Sequence, residues 1–283
     1  MITILEVVRR STEHLERRGI PNPKPDAEWI VAQSLGLGRM DLYLQFERPL
    51  TEGELEPMRG LLRRRANREP LQYVLGETDF AGLRLTCDRR ALIPRPETER
   101  LFEILTSEQD VEPRRILDLG VGSGALALAL ARFHPEAKVT ATDASEDALS
   151  LAKENAAAND LAERVRWFHG DWLDALREDE EVFDLIVSNP PYLTESEWAE
   201  ADPEVRGHEP KGALVAEDEG AAHLLHLLAQ APKRLAPGGL LALETGVGHH
   251  GRLKEAAGRA GYADVQALLD LSGRPRFFLA RMN

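Results

Sequence analysis

The clearest sign of the fold class is the stretch Ile116-Leu117-Asp118-Leu119-Gly120-Val121-Gly122-Ser123-Gly124, followed by the Ala/Leu-rich run 125–132. It predicts a short buried strand, a glycine-rich turn and a helix. Alternating glycines permit positive φ and let a ligand approach the backbone. The spacing is Gly-x-Gly-x-Gly, which differs from a dinucleotide fingerprint, and no Gly-Lys-Ser/Thr follows to cradle a triphosphate. The turn Gly120–Gly124 is therefore a candidate nucleotide-type site, although alone it could be only a tight strand-to-helix turn.

Acidic residues follow the next two predicted strands. The strand 138–142 ends at Asp143, about twenty residues past the glycines, where a carboxylate can accept hydrogen bonds from both ribose hydroxyls; it could instead cap the next helix. The strand 165–169 leads to Asp171, which can accept from an adenine amine, and to Trp172, which can cover the adenine or fill the core. Together these residues favour an adenosine ligand without a strong phosphate requirement. S-adenosylmethionine, with S-adenosylhomocysteine as product, fits best.

A fourth predicted strand, 183–188, ends at Asn189-Pro190-Pro191-Tyr192. Two prolines cannot continue a sheet ladder, because neither has an N–H to donate. The chain therefore leaves the sheet at a strand's carboxyl end, where open α/β sheets bind ligands. This exposes two neutral acceptors, the Asn189 carboxamide oxygen and the Pro190 carbonyl, beside the Tyr192 ring. The arrangement suits a planar NH2 group, with Pro191 alongside and Asn189 bordering the cofactor, although a lone Asn-Pro-Pro could be only a proline-terminated strand.

These residues resemble those of amino-methyltransferases that carry an Asn/Asp-Pro-Pro-Tyr motif. Members modify exocyclic amines of nucleic-acid bases or the side-chain amide of glutamine. The rest of the chain resembles one branch, the HemK-type release-factor glutamine methyltransferases. The stretches that carry this resemblance are Arg68-Glu69-Pro70-Leu71-Gln72-Tyr73-Val74-Leu75-Gly76, Leu92-Ile93-Pro94-Arg95-Pro96-Glu97-Thr98-Glu99, Glu209-Pro210 with Ala213-Leu214, and Leu243-Glu244. One departure is His249, which stands after a glycine where the family pattern has Gln.

The resemblance covers nearly the whole chain and implies an α/β fold: a Rossmann-like S-adenosylmethionine-dependent methyltransferase sheet with a small N-terminal helical domain. It implies that the substrate is the glutamine of the Gly-Gly-Gln loop in peptide chain release factors, methylated at its side-chain nitrogen. Arg95, Glu97 and Glu99 would line the substrate side, or only cap a helix and bridge the domains. The alternatives are a DNA or RNA exocyclic-amine methyltransferase and a non-catalytic cofactor-binding or scaffold protein.

Charge is distributed unevenly along the 283 residues, whose net charge is −13. Residues 1–95 hold 16 Lys/Arg and 14 Asp/Glu, while the remainder holds 19 and 34. The half with the candidate active site is thus acidic, whereas nucleic-acid binders usually present a basic face, so no direct nucleic-acid substrate is expected. The one basic cluster, Arg63-Arg64-Arg65 with Arg68, is predicted to be a solvated helix face; as a hypothesis, it meets an acidic protein partner.

The rest of the sequence indicates the cellular compartment and the absence of a membrane or metal requirement. A single cysteine, Cys87, excludes an internal disulfide and suits a reducing compartment. No apolar run approaches the ~18 residues of a membrane span, and the start lacks a signal-peptide layout. We therefore expect a cytoplasmic protein that does not associate with membranes. No metal is expected, because His169, His208 and the pair His249-His250 lack metal-ligand spacing.

Hydrophobic periodicity and the positions of glycine and proline predict three regions. Residues 1–75 form a helical substrate-binding domain, 76–95 a β-hairpin linker and 96–283 the methyltransferase catalytic domain. The first holds helices over 4–18, 26–35 and from a Thr51/Glu54 capping box to about 67. The hairpin spans 78–86 around Ala81-Gly82, and a helix runs from Pro96 to about 105. The segment Pro237-Gly238-Gly239 breaks the chain before a strand at 240–244. Strands 265–269 and 276–281 form a terminal antiparallel pair.

Overall fold

A computed structural model describes residues 2–109, 112–176 and 182–283. Within it the chain forms two compact units. The first comprises Met1–Glu77 and Asp202–His208, and the second comprises Thr78–Ala201 and Glu209–Asn283.

The first unit is helical. Its helices are α1 (Ile4–Arg17), α2 (Pro23–Ser34), α3 (Asp41–Leu44), α4 (Glu52–Ala66), α5 (Leu71–Leu75) and, returning late in the chain, α10 (Pro203–His208). The predicted capping box is confirmed, since Thr51 and Glu54 exchange side-chain and backbone hydrogen bonds at the start of α4. The second helix starts three residues earlier than predicted, because proline is tolerated in a first helical turn. The apolar faces of α1, α2 and α4 meet in a core that contains Ile4, Val31 and Met58.

Two arginines of the predicted solvated cluster are bound within this unit. The Arg65 side chain is only 6% exposed and donates to Asp26 Oδ2 at 2.7 Å and Glu204 Oε1 at 2.9 Å. Arg68 donates to the second oxygen of Glu204 at 2.6 Å. The solvated-face prediction is wrong for both, and Arg65 is not exposed to meet a partner. The pairs bind Asp202–His208 to the first unit, a long-range link that local charge patterning does not reveal.

The predicted hairpin is confirmed as β1 (Glu77–Phe80) and β2 (Leu83–Thr86). Ala81 and Gly82 have φ of 48° and 76°, as a two-residue turn with two left-handed positions requires. Phe80, Leu83 and Leu85 are buried in the core that also lies under the sheet. The hairpin therefore belongs to the second unit, whereas the sequence predicts it as a linker.

The second unit is an α/β sheet, which confirms the predicted fold class. After the hairpin come α6 (Pro96–Glu103), which continues as a π-helical turn over Ile104–Glu108, β3 (Arg115–Leu119), α7 (Ala125–Phe133), β4 (Lys138–Asp143), α8 (Glu146–Ala158), β5 (Val165–His169), β6 (Phe183–Ser188), α9 (Glu195–Glu200), α11 (Ala222–Gln230), β7 (Leu235–Glu244), α12 (His250–Ala260), β8 (Tyr262–Leu269) and β9 (Pro275–Met282). The strand order is β5-β4-β3-β6-β7-β9-β8. Only β9 runs antiparallel to its neighbours.

The register places the predicted site residues at one edge. Strand β3 lies between β4 and β6, with Leu119 opposite Thr142 on one side and Ser188 on the other. The chain therefore reverses its direction of strand addition at β3, and ligands of open α/β sheets bind at such switch points. The glycine turn, Asp143 and Asn189 consequently follow three adjacent strand ends.

Strand β3 also shows how the sheet is buried on both faces. Ile116 joins the hydrophobic core on one side, and Leu117 and Leu119 join the core on the other, because successive strand residues point to opposite faces. This alternation buries β3 on both faces, and the site lies at its carboxyl end.

The predicted break at Pro237-Gly238-Gly239 is wrong. Strand β7 runs through this segment, with Phe183 paired to Leu235 and Leu185 paired to Leu240. The extra residues on β7 form an irregularity in which Gly238 has φ of 73°, as expected where a strand must accommodate additional residues. The pairing with β6 on either side continues the strand despite the proline.

Candidate active site

A cavity of about 400 Å³ opens at the carboxyl ends of β3, β4 and β6. Its volume is in the range typical of small-molecule sites. The glycine turn lies on one side and the residue after β6 on the other. The lining includes Arg95, Thr98, Asp118, Gly120, Val121, Gly122, Ser123, Asp143, Asp171, Trp172, Asn189, Pro191 and His223.

The glycine turn adopts a conformation that explains its composition. Gly120, Gly122 and Gly124 have φ of 74°, 54° and 91°, a region that residues with a Cβ rarely occupy. A Cβ on Gly120 would also come within 3.1 Å of the Trp172 ring. Gly124 is outside the cavity lining and precedes the first residue of α7. The turn thus exposes backbone to the cavity where a ligand would contact it.

Asp143 joins the end of β4 to the glycine turn. Its Oδ2 accepts from the Gly122 N–H at 2.9 Å, and its Oδ1 accepts from the Ser145 N–H at 2.9 Å. Ser145, and not Asp143, caps α8, since its hydroxyl accepts from the Ala148 N–H. Burial raises the pKa of Asp143, while these backbone donors lower it. A carboxylate has about four acceptor positions, so Asp143 keeps capacity for ligand hydroxyls.

Asp118, at the end of β3, is fully buried at the base of the cavity. Its Oδ2 accepts from the Ala127 N–H at 3.0 Å, which holds the first turn of α7. Burial raises the pKa of Asp118 to about 7, and the nearby Asp143 carboxylate acts in the same direction. Asp118 thus ties the end of β3 to the first turn of α7, and it also lines the cavity.

Trp172 both lines the cavity and packs on the core. It has φ of 44°, its ring lies against Gly120, and it contacts the hydrophobic cluster under the sheet. The His223 ring, on α11, lies 5.2 Å away between centroids at 51°. Burial lowers the pKa of His223, while Asp171 acts against that shift. Sequence reasoning missed His223, because nothing beside it in the chain marks an α11 residue as facing this edge.

The Asn189 side chain is held by a chain of hydrogen bonds. Its Nδ2 donates to Thr98 Oγ1 at 3.0 Å, and Thr98 Oγ1 donates to Glu244 Oε2 at 2.7 Å. The Tyr192 hydroxyl donates to Glu244 Oε1 at 3.0 Å. Glu244 has no exposed surface, and burial raises its pKa. Sequence reasoning noted Thr98 and Glu244 only within the stretches that carry the family resemblance, and it assigned neither of them a role.

The remaining residues of the Asn-Pro-Pro-Tyr motif differ in their exposure to the cavity. Pro191 lines it beside Asn189, whereas Pro190 is buried and Tyr192 lies outside the lining. The Arg276 guanidinium is 5.5 Å from the centre of the Tyr192 ring. Burial and the neighbouring Glu244 charge raise the pKa of Tyr192. Stacking of this ring on a substrate stays a prediction, and its hydroxyl has the separate contact described above.

The acidic and basic residues before and on α6 have different contacts. Arg95 lines the cavity and donates to the buried Glu209 at 2.6 Å. Glu97 lies outside the lining and pairs with Arg274 at 3.2 Å. Glu99 accepts from the backbone N–H of Ala81 at 2.7 Å and so ties α6 to the hairpin. Of the three, Arg95 remains positioned for a ligand.

His249 holds in place the backbone segments that pack against Tyr192. Its Nδ1 accepts from the Gly246 N–H and its Nε2 donates to the Glu219 carbonyl, both at 3.1 Å. Gly220, with φ of 79°, packs so closely that a Cβ there would collide with the Tyr192 carbonyl oxygen. A neutral imidazole supplies one donor and one acceptor, and a glutamine amide also offers groups of both kinds. His249 therefore satisfies two backbone groups at the position where the family pattern has Gln.

Other candidate features have no part in the cavity. Cys87 is buried, and burial raises the pKa of its thiol to about 12. Among the described residues, no group of His, Cys, Asp and Glu is arranged to hold a metal ion. Within those same ranges, no helix has the length and apolarity to cross a membrane.

Comparison with known proteins gives two family matches: PrmC N-terminal domain over residues 6–76 and methyltransferase small domain over residues 96–202. The release factor glutamine methyltransferase of Deinococcus radiodurans is 43% identical over 278 residues, covering 98% of this chain and 97% of that protein. That of Chlorobaculum tepidum is 40% identical over 276 residues, covering 95% and 93%. A T. thermophilus 16S rRNA methyltransferase in complex with AdoMet and guanosine matches with a TM-score of 0.53 and 24% identity, covering 73% of this chain and 50% of that one. This last likeness shows the shared fold.

Proposed function

The chain belongs to the release factor glutamine methyltransferases, and we propose that it methylates the side-chain amide nitrogen of the glutamine in the Gly-Gly-Gln loop of peptide chain release factors. The methyl donor is S-adenosylmethionine. The observation that supports the substrate class is the Asn189 carboxamide, which lines the same cavity as the glycine turn. A neutral acceptor beside a cofactor site suits an uncharged NH2 group.

The cavity fits S-adenosylmethionine by the chemistry of its lining. Asp118, Asp143 and Asp171 all line it, and three carboxyl groups disfavour a polyphosphate while suiting a cationic sulfonium and an ammonium group. Asp143 has acceptor capacity for ribose hydroxyls, and Asp171 and Trp172 would hold the adenine. When bound, the cofactor supplies an electrophilic methyl group. The glycine turn then provides the close backbone approach that a ligand needs at this edge.

The acceptor side must activate a poor nucleophile, because the lone pair of an amide nitrogen is delocalised into its carbonyl. In this proposal Asn189 Oδ1 accepts one substrate N–H. The backbone carbonyl of the buried Pro190, which joins the lining residues Asn189 and Pro191, accepts the other. These two bonds orient the nitrogen and favour its partial pyramidalisation, a gain realised mainly in the transition state. Alignment with the methyl group supplies much of the remaining acceleration. No strong base need act before transfer, since the proton becomes acidic once the methyl is attached.

Release factors are also the proposed partner of the helical unit. This region matches the PrmC N-terminal domain, and we propose that it binds the folded release factor away from the chemistry. A large protein substrate gains affinity from such a second contact without changing the geometry at the reacting amide.

The test is methyl transfer from labelled S-adenosylmethionine to purified release factor, with duplex DNA and ribosomal RNA as parallel substrates. Mass spectrometry locates the methyl group. We expect label on the Gly-Gly-Gln glutamine, and a strongly reduced rate of labelling with the Asn189→Ala variant. Label only on DNA or RNA would keep the cofactor and the fold and would overturn the protein substrate.

A further inference from the structure

We propose that Thr98 and Glu244 are positioning residues that fix the Asn189 carboxamide with its oxygen toward the cavity and its NH2 group away from it. This inference rests on the proposed function and concerns how one catalytic group is oriented. Neither residue needs to touch the substrate for the effect.

The orientation of Asn189 decides whether it can accept a substrate N–H. The oxygen and nitrogen of a carboxamide have nearly the same shape, so their hydrogen-bond partners determine which way the group points. Asn189 directly follows β6 and lines the cavity, and its Nδ2 lies 3.0 Å from Thr98 Oγ1. With the nitrogen on Thr98, the oxygen is the atom left to face a ligand.

The direction of the hydrogen-bond chain is set at Glu244. An ionised carboxylate only accepts, so the Thr98 hydroxyl must direct its proton to Glu244 Oε2, 2.7 Å away. The Thr98 lone pairs then face Asn189, and only an N–H group can approach them. A flipped Asn189 would set its oxygen against those lone pairs. The order of donation is therefore Asn189 to Thr98 to Glu244.

The need for a group that only accepts hydrogen bonds explains why an acid is buried at position 244. Glu244 has no exposed surface, and burying a carboxylate is costly unless it is well paired. It accepts from two hydroxyls, those of Thr98 and Tyr192. A neutral amide at 244 could satisfy Thr98 by donating as well as by accepting. Only a carboxylate restricts the Thr98 hydroxyl to donating its proton toward position 244.

Protonation of Glu244 would remove that constraint. The groups that face it are Thr98 and Glu97 on α6, Tyr192 after β6 and Arg276 on β9. Burial raises the pKa of Glu244, with Glu97 acting in the same direction, while Thr98, Tyr192 and Arg276 lower it. A protonated Glu244 has an O–H to donate, so Thr98 could reverse and the amide could flip. Turnover should therefore fall as the pH drops through this raised pKa.

The test compares Thr98→Val, which keeps the volume and removes the hydroxyl, with Thr98→Ser, which restores the hydroxyl. We expect Thr98→Val to lower kcat by about 10- to 100-fold, as misorientation of a catalytic group does, with the Kd for S-adenosylmethionine within about twofold. Thr98→Ser should recover most of the turnover. Thr140→Val is the matched control, because Thr140 is as buried as Thr98 but lies in the middle of β4.

Two further measurements separate positioning from packing. In an Asn189→Ala background, Thr98→Val should cost little more in kcat, because the group that it positions is already absent. Glu244→Gln should lose turnover and also lose the acid limb of the pH–kcat profile.

Equal kcat values for Thr98→Val and Thr98→Ser would overturn the inference, and so would additive losses in the double variant. If Glu244→Gln fails to fold, the Thr98 pair and the double variant still decide it. Labelling of the release-factor glutamine by the wild-type enzyme tests the proposed function separately. The inference itself is tested by the ratios of kcat between variants, measured with whichever amine substrate the enzyme labels.

Discussion

The glycine turn on one side of the cavity is held by residues near it in the chain, whereas Asn189 on the other side is held by distant ones. The Gly122 N–H bonds Asp143, 21 positions away. Asn189 bonds Thr98, 91 positions away, and Thr98 bonds Glu244, 146 positions away. The glycine turn and Asp143 are thus parts of one strand-turn-helix-strand segment. The acceptor side exists only once β6, β7 and α6 have come together.

This difference separates binding from catalysis. A locally encoded turn can bind a common cofactor in many proteins of this fold. The proposed amide acceptor, Asn189, instead depends on long-range tertiary contacts. Damage to the acceptor side should therefore spare the cofactor, and damage to the turn should impair binding first.

The largest expected effect is that of Asn189→Ala on turnover. Removing a group that stabilises the transition state costs about 10²- to 10³-fold in kcat, and the Kd for S-adenosylmethionine should change much less. Steady-state kinetics with release factor, paired with calorimetric titration of the cofactor, measures both. Equal losses in turnover and in cofactor binding would show that the two sides do not act separately.

Gly120→Ala tests the other side of the comparison, the glycine turn. The left-handed φ of 74° and the Trp172 ring, 3.1 Å from a Cβ, both oppose the change. A strain of about 1–2 kcal/mol should weaken cofactor binding by about tenfold or more, while kcat at saturating cofactor falls less. Gly258→Ala, on α12 with open space around a Cβ, is the matched control. Unchanged cofactor affinity in Gly120→Ala would contradict the proposed role of the turn.

The same contrast governs what the sequence could predict. The sequence bounds the strand 183–188 correctly because Asn-Pro-Pro ends it, and it locates the hairpin because Ala81-Gly82 separates two alternating runs. These are local signals. Pairing with β6 carried β7 through Pro237, and ion pairs to Arg65 and Arg68 placed Glu204 in the helical unit. Both depend on neighbours that come together only in the folded chain.

The site divides along the same line. The turn residues and Asp143 could be inferred from spacing after a strand, and each lies where that spacing places it. Thr98 and His223 could not, because each reaches the cavity from a helix distant in sequence. An acid that directly ends the apolar run 240–243 is the signal in the sequence that could have directed attention to Glu244.

Tyr192→Phe should have a moderate effect. The variant keeps the ring but removes one of the two hydroxyl donors to the buried Glu244. Loss of a bond to a buried carboxylate destabilises by about 1–3 kcal/mol, and kcat should fall less than in Tyr192→Ala, which also removes the ring. Urea unfolding and kinetics of both variants measure this. Similar kcat losses in the two variants would mean that the hydroxyl, and not the ring, is the functional part.

The smallest effect is expected for His249→Gln. A glutamine can accept from the Gly246 N–H and donate to the Glu219 carbonyl, the two bonds that His249 makes. Its free energy of unfolding should stay within about 1 kcal/mol of wild type, with kcat changed by less than about twofold. His249→Leu fills similar space but leaves both backbone groups unpaired, at about 1–3 kcal/mol each. It should loosen the packing of Gly220 against the Tyr192 backbone and thereby lower turnover. If His249→Leu matched His249→Gln in stability and kcat, the imidazole would be filling space only, and the acceptor side would depend on fewer long-range contacts than the structure indicates.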